Sequence, residues 1–143
     1  MSYRINELQF ALPDTEFQDA SINILKFAAL ETSLIVSRSL LAEEETLQSN
    51  LEAQLKRLEQ QVQDLHYEPP RAVQVGGTQP IEALELRSQF SKGAENVFQY
   101  QLAMVLPDTR KMLALSYVKA QPLGANEAAH WAQILQSLTF DGI

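Results

Sequence analysis

The sequence predicts an α+β fold, an antiparallel sheet with one long central helix and a C-terminal helix, formed as a single domain over residues 1–143. Three observations carry that prediction. Runs with period-two alternation are separated by short turn sequences, as in consecutive hairpins. One central run, Thr46 to Leu65, changes to the 3.6-residue period of a helix. Hydrophobic residues are 45% and charged residues 20% of the 143, the balance of a globular chain able to bury one sizeable core.

In order, Leu8, Phe10 and Leu12 alternate with Glu7, Gln9 and Ala11 as a first strand closed by Pro13-Asp14. Asp19–Phe27 and Ser33–Ser39, rich in aliphatic and β-branched residues, form a hairpin around Ala28–Thr32. In the helix, Leu47, Leu51, Leu55, Leu58, Val62 and Leu65 draw one stripe, with Leu55 and Leu65 assigned to the core. Thr46 stands at the N-cap, Glu43 to Glu45 face the positive end of the dipole, and Glu52 and Lys56 have i,i+4 spacing. Pro69-Pro70 ends any continuation.

Arg71–Val75 and Ile81–Phe90 read as strands around Gly76-Gly77, and Gly93 supplies the positive-φ position of the next hairpin. Asn96–Leu106 and Lys111–Ala120 follow, joined by a turn with Pro107 at its first corner. Asn126 is placed to cap a last helix whose Ala128, Trp131, Ile134, Leu135 and Leu138 share a face.

Composition removes several function classes. A net charge of −7 argues against nucleic acid as a partner. The longest apolar run, Leu102–Leu106, is far short of the roughly 20 residues of a spanning helix, so the chain is not itself membrane-inserted. The first residues lack the basic start and apolar stretch of a secretory signal, which makes the cytoplasm the expected location. Without cysteine there are no disulfides and no thiolate chemistry.

Catalytic patterns are equally scarce. His66 and His130 belong to no HxH or HExxH spacing, so no metal or other cofactor is expected, and His66 is read as capping the end of the long helix. Gly76-Gly77 is followed by neither Lys-Ser nor Lys-Thr, and Ser33, Ser37 and Ser39 have no GxSxG elbow. The expectation is a protein that is not an enzyme.

One strand carries a less ordinary pattern. Alternation puts Phe98, Tyr100, Leu102 and Met104 on a core face, and Gln99, Gln101 and Ala103 on the other. The hairpin offers a similar mixture in Ile22, Ile24, Ser33, Ile35 and Ser37, and Gln54 borders the buried stripe of the helix. Pattern alone also allows these to be the wet side of an antiparallel sheet.

The residues Asn6-Glu7, Asp19-Ala-Ser-Ile-Asn-Ile-Leu, Ser33-Leu-Ile-Val-Ser-Arg38, Gln54-Leu-Lys-Arg-Leu58, Val75-Gly-Gly77, Gln99-Tyr-Gln101 and the Trp131 helix, in this order and spacing, resemble the Eag family of type VI secretion effector-associated chaperones. The similarity runs from Asn6 to Leu138, with Ser39 standing where the family commonly has an acidic residue. The resemblance implies a Mog1/PsbP-like fold and a cytoplasmic, non-enzymatic homodimer. Its implied task is to shield the N-terminal transmembrane helices of a secreted Rhs- or PAAR-type effector and to help load it on the secretion spike.

By the same resemblance, Ile22, Ile24, Ile35 and Leu58 are the aliphatic client contacts. Ser33, Ser37 and Ala103 permit close approach, and Gln54, Gln99 and Gln101 bond polar groups of the client. The alternative is a non-enzymatic small-ligand or protein-binding module on the same fold.

Overall fold

The computed structural model describes residues 1–140. A seven-stranded antiparallel sheet forms the body, built from β3 (Asn23–Phe27), β4 (Thr32–Leu40), β5 (Gln63–Tyr67), β6 (Arg71–Val75), β7 (Ile81–Lys92), β8 (Glu95–Val105) and β9 (Lys111–Lys119). The path is β3-β4-β9-β8-β7-β5, and β6 also pairs with β7. Two further strands, β1 (Ser2–Arg4) and β2 (Gln9–Ala11), pair only with each other. The helices are α1 (Leu47–Gln61) and α2 (Ala125–Gln136). The predicted α+β class with a long central and a terminal helix is what the chain adopts.

Alternation along the strands decides which helix covers which face. Leu34, Tyr100, Leu102, Met104, Leu115 and Tyr117 point to one face and form the larger core with Trp131 of α2. The Trp131 indole N–H donates to buried Glu85 at 2.8 Å, and Arg71 pairs with the same carboxylate, so α2, β7 and β6 are tied together through one side chain. On the opposite face Leu51 and Leu55 of α1 pack on Leu86, Ala103 and Met112 with Leu41. Each helix buries one stripe, and the sheet between them is apolar on both sides where it is covered.

Turn chemistry follows the sequence closely. Gly93 has φ +63° in the two-residue loop between Lys92 and Glu95. After Pro107, Asp108 takes φ +59° and the Thr109 N–H donates to the Leu106 carbonyl, closing the β8–β9 turn. Gly76 and Gly77 both have positive φ.

Several elements differ from the sequence reading. The central helix stops at Gln61, not Leu65: Val62 is extended at φ −129°, and Asp64 turns the chain at φ +56°. Gln63–Tyr67 then pairs with β7 as a bulged strand, because ladder hydrogen bonds along a free strand edge outweigh a continuing helical stripe. His66 is therefore an exposed strand residue rather than a helix cap. The hairpin strand begins at Asn23 and not at Asp19.

The terminal helix is capped by Gly124 instead of Asn126, and the Glu127 carboxylate accepts from the Gly124 N–H at 2.7 Å. Glu52 accepts from Gln48 and forms no ion pair with Lys56. Glu45, read as a dipole partner, instead accepts from the Ala42 N–H and from Asn50. The first predicted strand is β2, but it joins β1 in a separate hairpin outside the main sheet.

Candidate functional site

The face carrying α1 is only half covered, because α1 lies over β5, β7 and β8. Register places the remainder. Gln101 is opposite Ser116 of β9, Ser116 is opposite Ile35 of β4, and Ile35 is opposite Ile24 of β3, so these four side chains form one row across the sheet. A second row runs Gln99, Val118, Ser33 and Lys26, and a third runs Ala103, Ala114 and Ser37. At about 4.8 Å per strand gap, the row from Gln101 to Ile24 spans about 14 Å, wider than the roughly 10 Å of a helix with its side chains.

The chemistry of this surface grades across the sheet. Toward the centre, the Gln99 amide donates to the Ser88 hydroxyl at 3.0 Å, and the Gln101 amide donates to the Ser116 hydroxyl at 3.2 Å. Ser33, Ile35 and Ser37 are half-buried. At the edge Ile24 is 57% exposed and Ile22, just before the strand, is 61% exposed. Leu25, on the other side of β3, is also exposed. Two glutamine–serine pairs thus sit beside unpaired aliphatic side chains, so the surface mixes groups that accept apolar contacts with amide and hydroxyl capacity for polar ones.

The predicted residues thus fall into four groups. Ile24, Ser33, Ile35, Ser37 and Gln101 are brought together on the open surface, while exposed Ile22 lies just before β3 and outside the paired register. Gln99 shares the face but is buried and held by Ser88. Ala103 is a correction: it is 4% exposed and packed under Leu51 and Leu55, since its short side chain is what lets α1 approach β8. Gln54 is exposed and donates to Asn50 one turn earlier, and Leu58 is half-buried on α1 outside both core clusters.

Ser88 and Ser116, the partners of the two glutamines, are additional residues of this face. Their sequence signal is alternation in β7 and β9, which puts both on the glutamine face.

Elsewhere, titratable groups serve the scaffold. His130 of α2 meets the Tyr117 hydroxyl at 2.7 Å and lies edge-on to Phe27, while burial pushes the Tyr117 hydroxyl above its ordinary range. Glu127 is held below its ordinary range by the Gly124 N–H and, to a lesser extent, by Lys119. Among the described residues no cluster of three or more His, Asp or Glu is placed to hold a metal ion. Nor is any helix long and apolar enough to cross a membrane.

Comparison with known proteins adds the following. No curated protein matches the sequence. Among solved structures, a Pseudomonas aeruginosa protein of unknown function, PA94, described as a candidate regulator, superposes with a TM-score of 0.75. The match covers 100% of this chain and 98% of that one at 21% identity, and it supports the fold alone. The DcrB family model matches residues 7–137, which takes in every strand of the main sheet and both helices. The chain belongs to the DcrB family.

Proposed function

We propose that the protein is a cytoplasmic chaperone and adaptor of type VI secretion. It shields the apolar N-terminal helices of an Rhs- or PAAR-type effector before export and helps bring the effector to the secretion spike. The observation that carries this reading is the open row Gln101–Ser116–Ile35–Ile24, an aliphatic and hydroxyl surface wide enough for one helix, which α1 leaves free. The resemblance of the Asp19–Leu25, Ser33–Arg38 and Gln99–Gln101 segments to Eag chaperones points the same way.

The physics of the task fits the surface. An apolar helix in water gains about 1.5–3 kcal/mol for each large aliphatic side chain fully removed from solvent. Ile22, Ile24 and Ile35 supply the apolar partners, and small Ser33 and Ser37 let a helix backbone come close, as between membrane helices. Gln101 keeps an amide available for a client hydroxyl or backbone carbonyl. Binding needs no catalytic centre, and the proposal assigns none.

A homodimer belongs to the same proposal. Among the described residues the outer edge of β3 has no strand partner, and it carries exposed Ile24 and Leu25; pairing with a second copy removes this liability.

The experiment is co-expression with the N-terminal segment of a type VI effector encoded beside this gene, followed by affinity purification and light-scattering mass. A soluble complex with two copies of this chain is the expected result. An insoluble client, with this protein eluting alone, contradicts the proposal and favours a small-ligand or other protein-binding module.

A further inference from the structure

At the end of β4 and the start of β9, where Arg38, Leu40, Lys111 and Leu113 project to the face that carries α2 and Ser39 and Met112 to the other, a cavity of about 530 Å³ is bordered by the N-terminal arm and includes none of the predicted client contacts. Leu40, Leu106 and Leu113 contribute apolar walls, and Tyr3 and Phe17 of the arm line its other side. Leu40 and Phe17 are about half exposed, 51% and 55%, so large apolar side chains border this space without filling it. The segment before β3 is tied mainly to itself: Tyr3 donates to Asp19 and packs against Phe10 and Phe17, and β1–β2 pairs with no strand of the body.

Charge gives the cavity a direction. Arg38 and Lys111 both line it, and neither forms an ion pair among the described residues. Arg38 spends its hydrogen bonds on neutral acceptors, the Ser21 carbonyl and the Asn23 side chain. Asp19 faces the same space, where the Tyr3 hydroxyl and the Ser21 N–H satisfy it. Two cations against one occupied carboxylate leave a net positive charge, in a chain whose overall charge is −7. The volume lies within the roughly 300–1,000 Å³ of small-molecule sites, and apolar walls with a few charged groups are the usual lining of such sites.

We propose that this cavity binds a single-chain anionic amphiphile of the fatty-acid class. Its tail lies between Leu40, Leu106 and Leu113 on one side and Tyr3 and Phe17 on the other, and its carboxylate meets Arg38 and Lys111. Filling the cavity orders the arm, because the tail adds apolar partners to a hairpin that alone is marginal. The site is separate from the client surface, so its fate does not depend on the chaperone reading.

The test is calorimetric titration of the full chain with dodecanoate below its micelle-forming concentration, with dodecyltrimethylammonium and dodecanol as comparisons. Saturable binding of one dodecanoate is expected, at least tenfold tighter than dodecanol, with none of the cationic analogue. Lys111→Glu, at an exposed position, weakens dodecanoate at least tenfold, and Phe17→Ser does the same through the arm. Ile24→Asp, on the other face, leaves binding unchanged. Absence of saturable binding overturns the proposal. So does binding that Ile24→Asp abolishes and Lys111→Glu spares, which places the tail on the open client surface.

Discussion

At the residue scale, Trp131 shows how a single polar handle fixes a large apolar side chain. Its ring is 2% exposed against Tyr100 and Tyr117, and its N–H is the partner of one Glu85 oxygen. Trp131→Phe keeps an aromatic ring but leaves that buried carboxylate oxygen unpaired, which costs about 1–3 kcal/mol. Urea unfolding followed by circular dichroism checks it, because the variant lacks the chain's one tryptophan. A loss below about 0.5 kcal/mol contradicts the assigned role, being what an ordinary surface substitution produces.

Asp19 gives a pH signature. The Tyr3 hydroxyl, helped by Ser21, holds its carboxyl down to about 2, and the same bond raises the Tyr3 hydroxyl. A lowered carboxyl stabilises the arm fully above the ordinary aspartate range, near about 4, and that contribution is lost as pH falls toward 2. A raised tyrosine contributes fully below about 10 and loses it as pH climbs through the raised value. Amide-exchange protection of Met1–Leu12 is expected to hold between those limits and to fall outside them. Tyr3→Phe removes the alkaline dependence and weakens the acid one to what the Ser21 bonds and Arg38 sustain, and an acid response that survives it undiminished contradicts this origin. None of this was legible in sequence, where Tyr3 and Asp19 are separated by a turn and no periodicity links them.

At the element scale, the two helices play unlike roles. α1 covers only the end of its face around Leu86, Ala103 and Met112, so Leu51→Ala opens a cavity in the smaller cluster and costs about 2–5 kcal/mol. Urea denaturation measures it, and a value under 1 kcal/mol contradicts close packing there. The β6–β7 turn makes a sharper case. Gly76 has φ +111°, and an added Cβ would lie 2.8 Å from the Phe140 ring, whereas Gly77 at φ +66° has open space around it. Gly76→Ala is expected to cost about 1–3 kcal/mol, and more than Gly77→Ala, by thermal melting. Equal costs contradict the ring contact as the cause.

The legible elements are those whose signal is local. Leu47 to Leu58 carry a helical stripe, Pro107-Asp108 a turn, and Asn96–Leu106 an alternation, each complete within its own segment. The end of α1 was not legible, because Val62 and Leu65 continue the stripe while β7 offers Gln63–Tyr67 an edge far away in sequence. The Gly124 cap escaped for a related reason: Asn126 has the better capping side chain, but Glu127 reaches back to the Gly124 N–H and starts the helix earlier.

At the scale of the whole molecule, placement of α1 decides what the sheet can do. By covering β7, β8 and the start of β9 around Met112, it divides one face into a packed half and an open half. The open half holds Ile24, Ser33, Ile35, Ser37 and Gln101 of the predicted contact residues, since alternation assigns a residue to a face. Alternation cannot say how far a helix extends across that face, which is why Ala103 was expected on the open surface and lies in the core. Cross-strand neighbours such as Gln101 and Ser116 are set by pairing between distant segments, so the row they form emerges only in the assembled sheet.

The most direct test of the chaperone account compares wild type with Ile24→Asp and Gln101→Ala in retaining a co-expressed effector N-terminal segment in the soluble fraction, with unfolding midpoints measured on the same proteins. Ile24 is 57% exposed and Gln101 lies on the open face, so both variants are expected to unfold within about 1 kcal/mol of wild type. Client retention is expected to fall at least tenfold for Ile24→Asp, which sets a charge against an apolar helix, and less for Gln101→Ala. Folded variants that retain the client as well as wild type contradict the account.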